Sequence, residues 1–295
     1  MISRRWLFHT LAVCTIALAI STPLWAEQPL KVVASFSILG DMVQQVGGDQ
    51  IKVTTLVGAD ADGHVYQPTP ADARTVARAD LLVVNGLSFE GWIDRLIQAS
   101  GYKGSVITAT DGIQPQKMQV HDTDPHAWQN LSNARIYIRN IVKGLSLADP
   151  AGASVYKANA VRYLEKLDAV EAEVVKTISS IPPQRRKVVT LHDAFGYFEA
   201  AYGLAFLAPV GISTESEASA ADVAKLIRQI RKEQIPAVFI ENISDPRLLE
   251  QITRETGARI GGVLYSDALS STDGPASTYL DMFLYNTHTL AEALK

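Results

Sequence analysis

The 295-residue sequence contains one cysteine, Cys14, so it has neither a disulfide framework nor a cysteine-based zinc site to draw on. It also lacks any block of like charge. Its 27 Lys+Arg stand against 31 Asp+Glu, which leaves no electrostatic footprint for nucleic acid. Apolar runs long enough for repeated membrane crossings are missing, which excludes a polytopic membrane protein. No His-Glu-x-x-His helix and no Gly-x-Ser-x-Gly elbow is present, so two common hydrolase signatures are absent. What remains is an ordinary globular balance, 47% apolar and 20% charged, which rules out a disordered or collagen-like chain. The length suits two domains or one large one, each able to bury a core.

Residues 1–26 read as a cleavable secretory signal peptide. Arg4 and Arg5 form its positive start, and an apolar stretch from Trp6 to Ile20, broken by His9 and Thr10, follows. That stretch is short for a membrane span, and cleavage is expected after Ala26, before Glu27. Cys14 raises lipid attachment as a rival, but Val13 replaces the small residue such a site needs before its cysteine. Without Cys14 the mature chain carries no thiol and can fold in an oxidising compartment. The expected location is the periplasm.

Beyond the leader, Val/Ile/Leu-rich runs at 31–35, 51–56, 81–84, 105–108, 187–191, 205–209, 237–240 and 260–264 read as strands covered on both faces. Helical patterns lie between them, among them 69–79, 132–145, 221–232 and 246–256. Such alternation predicts α/β architecture with open parallel sheets. Residues 149–180 break the rhythm. Leu164, Leu167, Glu171, Val174 and Ile178 recur every three or four positions, and about 30 residues at 1.5 Å each make a helix of about 45 Å. Pro182 and Pro183 stop it. The expected organisation is therefore a leader (1–26), a first α/β lobe (27–148), a connecting helix (149–181) and a second α/β lobe (182–295). A faint internal echo fits two similar halves: Val57-Gly58 and a strand ending at Asn85 correspond to Val210-Gly211 and a strand ending at Asn242.

In an open parallel sheet a ligand sits beyond the carboxyl ends of the strands. His64 falls in the loop after the 51–56 strand, His126 just before a helix, His192 directly after the 187–191 strand, and Asp267 just past the 260–264 strand. Two come from each half, so a crevice between the halves would gather them. Each has a plainer reading alone: a solvated loop histidine, a polar helix start capped by Asp124, a buried strand-end histidine and a turn carboxylate. Jointly they make a four-coordinate set of three imidazoles and one carboxylate suited to Zn²⁺. His121 and His288 read as surface residues, His121 with the added role of a capture ligand. Asp193, Glu199 and Glu241 are candidate supports for the ligands.

Five ordered strings carry a resemblance: Val33-Ala-Ser-Phe-Ser-Ile38, Gly63-His-Val-Tyr-Gln-Pro68, Asn85-Gly-Leu-Ser-Phe-Glu-Gly-Trp92, Asp124-Pro-His-Ala-Trp128 and His192-Asp-Ala-Phe-Gly-Tyr-Phe198. Together with Glu241-Asn242 and Asp281-Met-Phe-Leu-Tyr-Asn286 they resemble the zinc/manganese solute-binding proteins of bacterial ABC importers. The resemblance implies two Rossmann-like parallel-sheet lobes joined by one long rigid helix. It also implies a metal between them on His64, His126, His192 and Asp267. Histidine at the third position is typical of zinc-type members and glutamate of manganese-type ones, and this chain has His192. A departure is the missing His/Asp-rich loop: between Asp111 and Asp124 only His121 stands.

The expected function is capture of Zn²⁺, with Mn²⁺ as the alternative, and delivery to a membrane permease. A monomer is expected, with a metallochaperone as a further partner. A competing class is a secreted zinc hydrolase in which His64, His126 and His192 hold the metal and Asp267 or Glu241 acts as base. A fourth protein ligand would close the position that such chemistry needs for water. Nothing in the sequence argues specifically for an adhesin.

Overall fold

A computed structural model describes residues 28–119 and 122–295. The leader, Cys14 and His121 lie outside the described residues. The chain order is β1 (Leu30–Phe36), α1 (Ser37–Gly47), β2 (Ile51–Val57), α2 (Pro70–Ala77), β3 (Leu81–Val84), α3 (Ile93–Ser100) and β4 (Ser105–Thr108). A short antiparallel pair, β5 (Lys117–Gln119) and β6 (Asp122–Thr123), precedes α4 (Leu131–Ala148) and the long α5 (Ala153–Ser179). The second half runs β7 (Lys187–Val189), α6 (Gly196–Tyr202), β8 (Ala205–Leu207), α7 (Ala220–Glu233), β9 (Ala237–Glu241), α8 (Arg247–Thr256), β10 (Arg259–Leu264) and α9 (Tyr279–Leu294).

The two four-stranded sheets are wholly parallel and share one topology. The first is ordered β2-β1-β3-β4 and the second β8-β7-β9-β10. In each, the chain reverses direction across the sheet between the first and third strands of its half, and the loops beyond their carboxyl ends form a crevice there. The strands form where the apolar runs predict, within one or two residues at each end. β10 is irregular: its register against β9 shifts between Ile260 and Gly262. Gly262 takes φ 142, and a Cβ there would lie 2.6 Å from Thr289 Cγ2, so only glycine suits the bulge. The bulge lies just upstream of the turn that carries Asp267.

α5 is shorter than the expected 149–180 because Asp149 ends α4 and organises the turn. Its Oδ1 accepts the Ala151 and Gly152 N–H groups, while Oδ2 accepts the Tyr156 hydroxyl. From Ala153 the helix runs 27 residues, about 40 Å, burying Tyr156, Ala160, Tyr163, Leu167, Val170, Val174 and Ile178. Those side chains belong to one continuous core with β1–β3, α1, α4, α9 and the inner face of the second sheet. A smaller core forms on the outer face of that sheet, where Val189 and Val238 meet Leu226, Ile230, Leu249 and Ile252 of α7 and α8. α9 docks back across the molecule, since the Tyr279 N–H donates to Asp41 Oδ2 on α1. Among the described residues no helix is long and apolar enough to cross a membrane.

Candidate metal centre

His64 is placed by the loop after β2. Gly63 lies so close to Phe89 that a Cβ would meet its ring at 2.6 Å, and its carbonyl accepts the Trp92 indole N–H at 2.8 Å. Asp62 Oδ1 accepts the His64 backbone N–H. The imidazole stands edge-on to Phe89, with ring centres 4.7 Å apart. His126 packs against Trp128, whose ring touches both Phe36 and Phe89. An aromatic wall thus backs both histidines of the first lobe.

Asp124 holds His126 twice. Its Oδ1 accepts the backbone N–H at 2.9 Å and the ring Nδ1–H at 2.7 Å. In the second lobe Glu241, at the end of β9, does the same for His192. Its Oε1 accepts the Leu191 and His192 N–H groups, and Oε2 lies 2.6 Å from His192 Nδ1. Asp124 thus holds His126 through its Nδ1, Glu241 stands beside the Nδ1 of His192, and both rings turn Nε2 into the crevice. Asp267 is brought over from the second lobe by its neighbour: the Ser266 carbonyl accepts both the Trp128 indole N–H (2.9 Å) and the Gln129 amide (2.7 Å).

The four predicted residues converge. His64, His126, His192 and Asp267 each offer an atom, and all of these atoms lie within 4.8 Å of one another. His64 Nε2 is 3.2 Å from His126 Nε2 and 3.3 Å from Asp267 Oδ2. Asp267 Oδ2 is 3.1 Å from His192 Nε2, and Oδ1 is 3.6 Å from His126 Nε2. A tetrahedron with bonds of 2.0–2.1 Å has edges of about 3.3–3.4 Å, close to these separations. All four residues are buried.

Burial alone would lower the His126 imidazole, yet the Asp267 charge and the Asp124 hydrogen bond outweigh it and raise it to about 9. Burial likewise opposes the rise of His192, which Glu241 and Asp267 push well above the ordinary value. Asp267 would be raised by burial, but the His192 and His126 charges hold it well below the usual carboxylate range. The common cause is a buried pocket lined by acceptors, in which positive charge is stabilised. A divalent cation entering it displaces protons.

Among the expected supports, Glu241 reaches a ligand histidine. Glu199 instead accepts the Phe206 N–H, and the Asp193 N–H donates to the Gly211 carbonyl. Burial, then the neighbouring Asp124 charge, raises Asp193 to about 6. Asp124 is the support missing from the expected set; in the sequence it offers itself only as a cap, and its two-residue spacing to His126 is the one signal of this role. His288 is exposed on α9.

Residues 32–293 match the family described as "Zinc-uptake complex component A periplasmic". The "Iron-binding protein YfeA" of Yersinia pestis is 36% identical over 95% of this chain and 91% of its own length. The "Manganese-binding lipoprotein MntA" of Halalkalibacterium halodurans is 32% identical over 90% of this chain and 88% of its own. Among solved structures, the "periplasmic zinc binding protein TroA" from Treponema pallidum superposes with a TM-score of 0.87 at 29% identity, covering 90% of this chain and 99% of that one. Each of the three is named for a different metal.

Proposed function

As the chain belongs to the zinc-uptake complex component A family, we propose that it captures one Zn²⁺ between its lobes on His64, His126, His192 and Asp267 and delivers it to the membrane permease of an ABC importer. The family is one of metal-binding components rather than enzymes, so the cation is cargo and no bond is made or broken. One observation carries the reading. Two histidines have Nδ1 set against a carboxylate, His126 at 2.7 Å from Asp124 and His192 at 2.6 Å from Glu241, and both turn Nε2 towards the other ligands at 3.1–3.2 Å. The acceptors around these rings stabilise positive charge in the pocket, and a divalent cation can take the place of the protons there. A nitrogen-rich set favours zinc over manganese, and affinity for such sites rises from Mn²⁺ towards Zn²⁺.

Manganese is the second reading, and Asp267 supports it. Both of its oxygens face imidazoles, Oδ2 at 3.1 and 3.3 Å and Oδ1 at 3.6 Å, so bidentate binding could raise the coordination number. The same reading of the chain has the leader cleaved after Ala26, releasing the protein into the periplasm. Lipid attachment at Cys14 is the alternative, since the Halalkalibacterium relative is named a lipoprotein.

Metal analysis of protein isolated from the periplasm without added salts, followed by zinc-against-manganese competition, tests the function. One zinc per chain, retained against equimolar Mn²⁺, is the expected result. Displacement of zinc by equimolar Mn²⁺ reassigns the cargo. Failure to retain any transition metal after loading overturns the reading. The intact mass of the isolated protein reports the leader: a chain starting at Glu27 is expected, and a lipid-bearing Cys14 contradicts cleavage after Ala26.

A further inference from the structure

We propose that Asp62 and Thr214 are positioning residues that set how long the cation stays, by tying two equivalent loops together beside the ligands. The proposal rests on the metal-binding reading above.

The loop after β2 and the loop after β8 occupy the same place in the two sheets, each following the strand that lies next to the first strand of its half. The first loop supplies His64. The second contributes none of the four converging side chains. Instead the Thr214 hydroxyl donates to Asp62 Oδ2 at 2.6 Å, joining residues 152 positions apart in sequence. The other oxygen, Asp62 Oδ1, accepts the His64 backbone N–H at 2.9 Å. A single carboxylate thereby links a ligand of one lobe to the loop of the other.

A second crossing sits two residues earlier. Asp60 adopts φ 53, a left-handed conformation that aspartate tolerates better than most residues. Its N–H donates to the Leu269 carbonyl, and its Oδ1 accepts from the Asn242 amide, which also donates to the Ala268 carbonyl beside Asp267. The loop at 58–63 is thus fastened to a fixed strand end at Asp60 and to a long loop at Asp62. The second fastening joins two residues that both lie in loops, so its loss takes nothing from either sheet. Asp62 and Thr214 are half-buried, and both line a cavity of about 550 Å³ that also reaches His192, Glu217 and Asp245. Their hydrogen bond therefore sits on the wall of a space that reaches one of the ligands, His192. Breaking it frees the His64 backbone support from the second lobe without removing a donor atom from the metal.

The probes are Zn²⁺ and Co²⁺, and the readout is the rate at which each loaded protein yields its ion to a chromogenic chelator. Thr214→Val, which keeps the side-chain shape, is expected to raise the dissociation rate about fivefold, the size of effect that loss of a typical half-exposed hydrogen bond gives. Thr214→Ala is expected to match it, and Thr214→Ser to stay within about twofold of the parent, since a retained hydroxyl retains the bond. The Co²⁺ visible spectrum should be unchanged in all three, because the ligands are untouched. Asp62→Ala should release faster still, and Thr214→Val should add nothing to it.

Equal rates in the parent and Thr214→Val overturn the proposal, as do equally fast Val and Ser variants. A full additional increase from Thr214→Val in the Asp62→Ala background overturns it too. These failures leave the metal-binding reading intact. A parent protein that does not retain zinc at all removes that reading instead.

Discussion

In the first sheet the loop after the second strand carries His64, whereas the loop at the same place in the second sheet carries Thr214 and reaches across to Asp62. The first lobe offers two imidazoles set against Phe36, Phe89 and Trp128, whose packing belongs to the large core. The second lobe offers His192 and the only carboxylate among the four, on a sheet whose strands β7 and β8 are three residues each. One topology has thus been put to two uses. A wall of packed rings holds two imidazoles, and a thinner sheet brings the carboxylate that completes the site.

The comparison can be broken most directly at the donors. His126→Ala and His192→Ala should each weaken zinc binding by at least about a hundredfold, since about 10–16 kcal/mol of structural zinc affinity is shared among four ligands. Competition titration checks this, and a loss under tenfold on either side would remove that histidine from the set.

Next come the carboxylates behind the rings. Asp124→Asn and Glu241→Gln should each cost about 10–100-fold, with Glu241→Gln the larger. Glu241 accepts two backbone N–H groups besides facing its ring, whereas Asp124 accepts one. The reverse order would mean that the first lobe, not the second, depends more on its support.

Asp267→Ala should be milder than loss of any histidine, about tenfold, because three imidazoles and a water still make a workable zinc site. If titration finds Asp267→Ala the most damaging of all, the carboxylate of the second lobe and not the imidazoles dominates the affinity. Smallest of all should be the effect on metal of Leu249→Ala in the outer core. It is expected to lower unfolding free energy by about 2–5 kcal/mol in denaturant melts while shifting zinc affinity less than about twofold. A larger shift would tie the α7/α8 layer to the site.

Much of this architecture is legible in the residues. Parallel strands announce themselves as short Val/Ile/Leu runs, and His192 and Asp267 stand just past two of them. Other parts are hidden for physical reasons. α1 follows β1 without a turn, so Phe36, Ile38 and Leu39 read as a continued apolar run and its start leaves no mark. α9 does carry a start signal, Thr278 with Asp281 three residues on, whose side chains bond in the structure. Glu241 stands in the sequence as one of three candidate supports, and only the pairing of β7 with β9 sets it, rather than Asp193 or Glu199, under His192. The Ser266 carbonyl meets Trp128 and Gln129 across 138 and 137 residues, a contact that no local pattern encodes.

Because α5 shares one unbroken core with the first lobe and with the inner face of the second sheet, neither half owns its own melting transition. Heating should therefore give a single cooperative calorimetric peak, and a fragment cut at either end of α5 would be left with an apolar face and nothing to cover it. A carrier built this way is inherited, expressed and degraded as one object, however clearly its backbone divides in two.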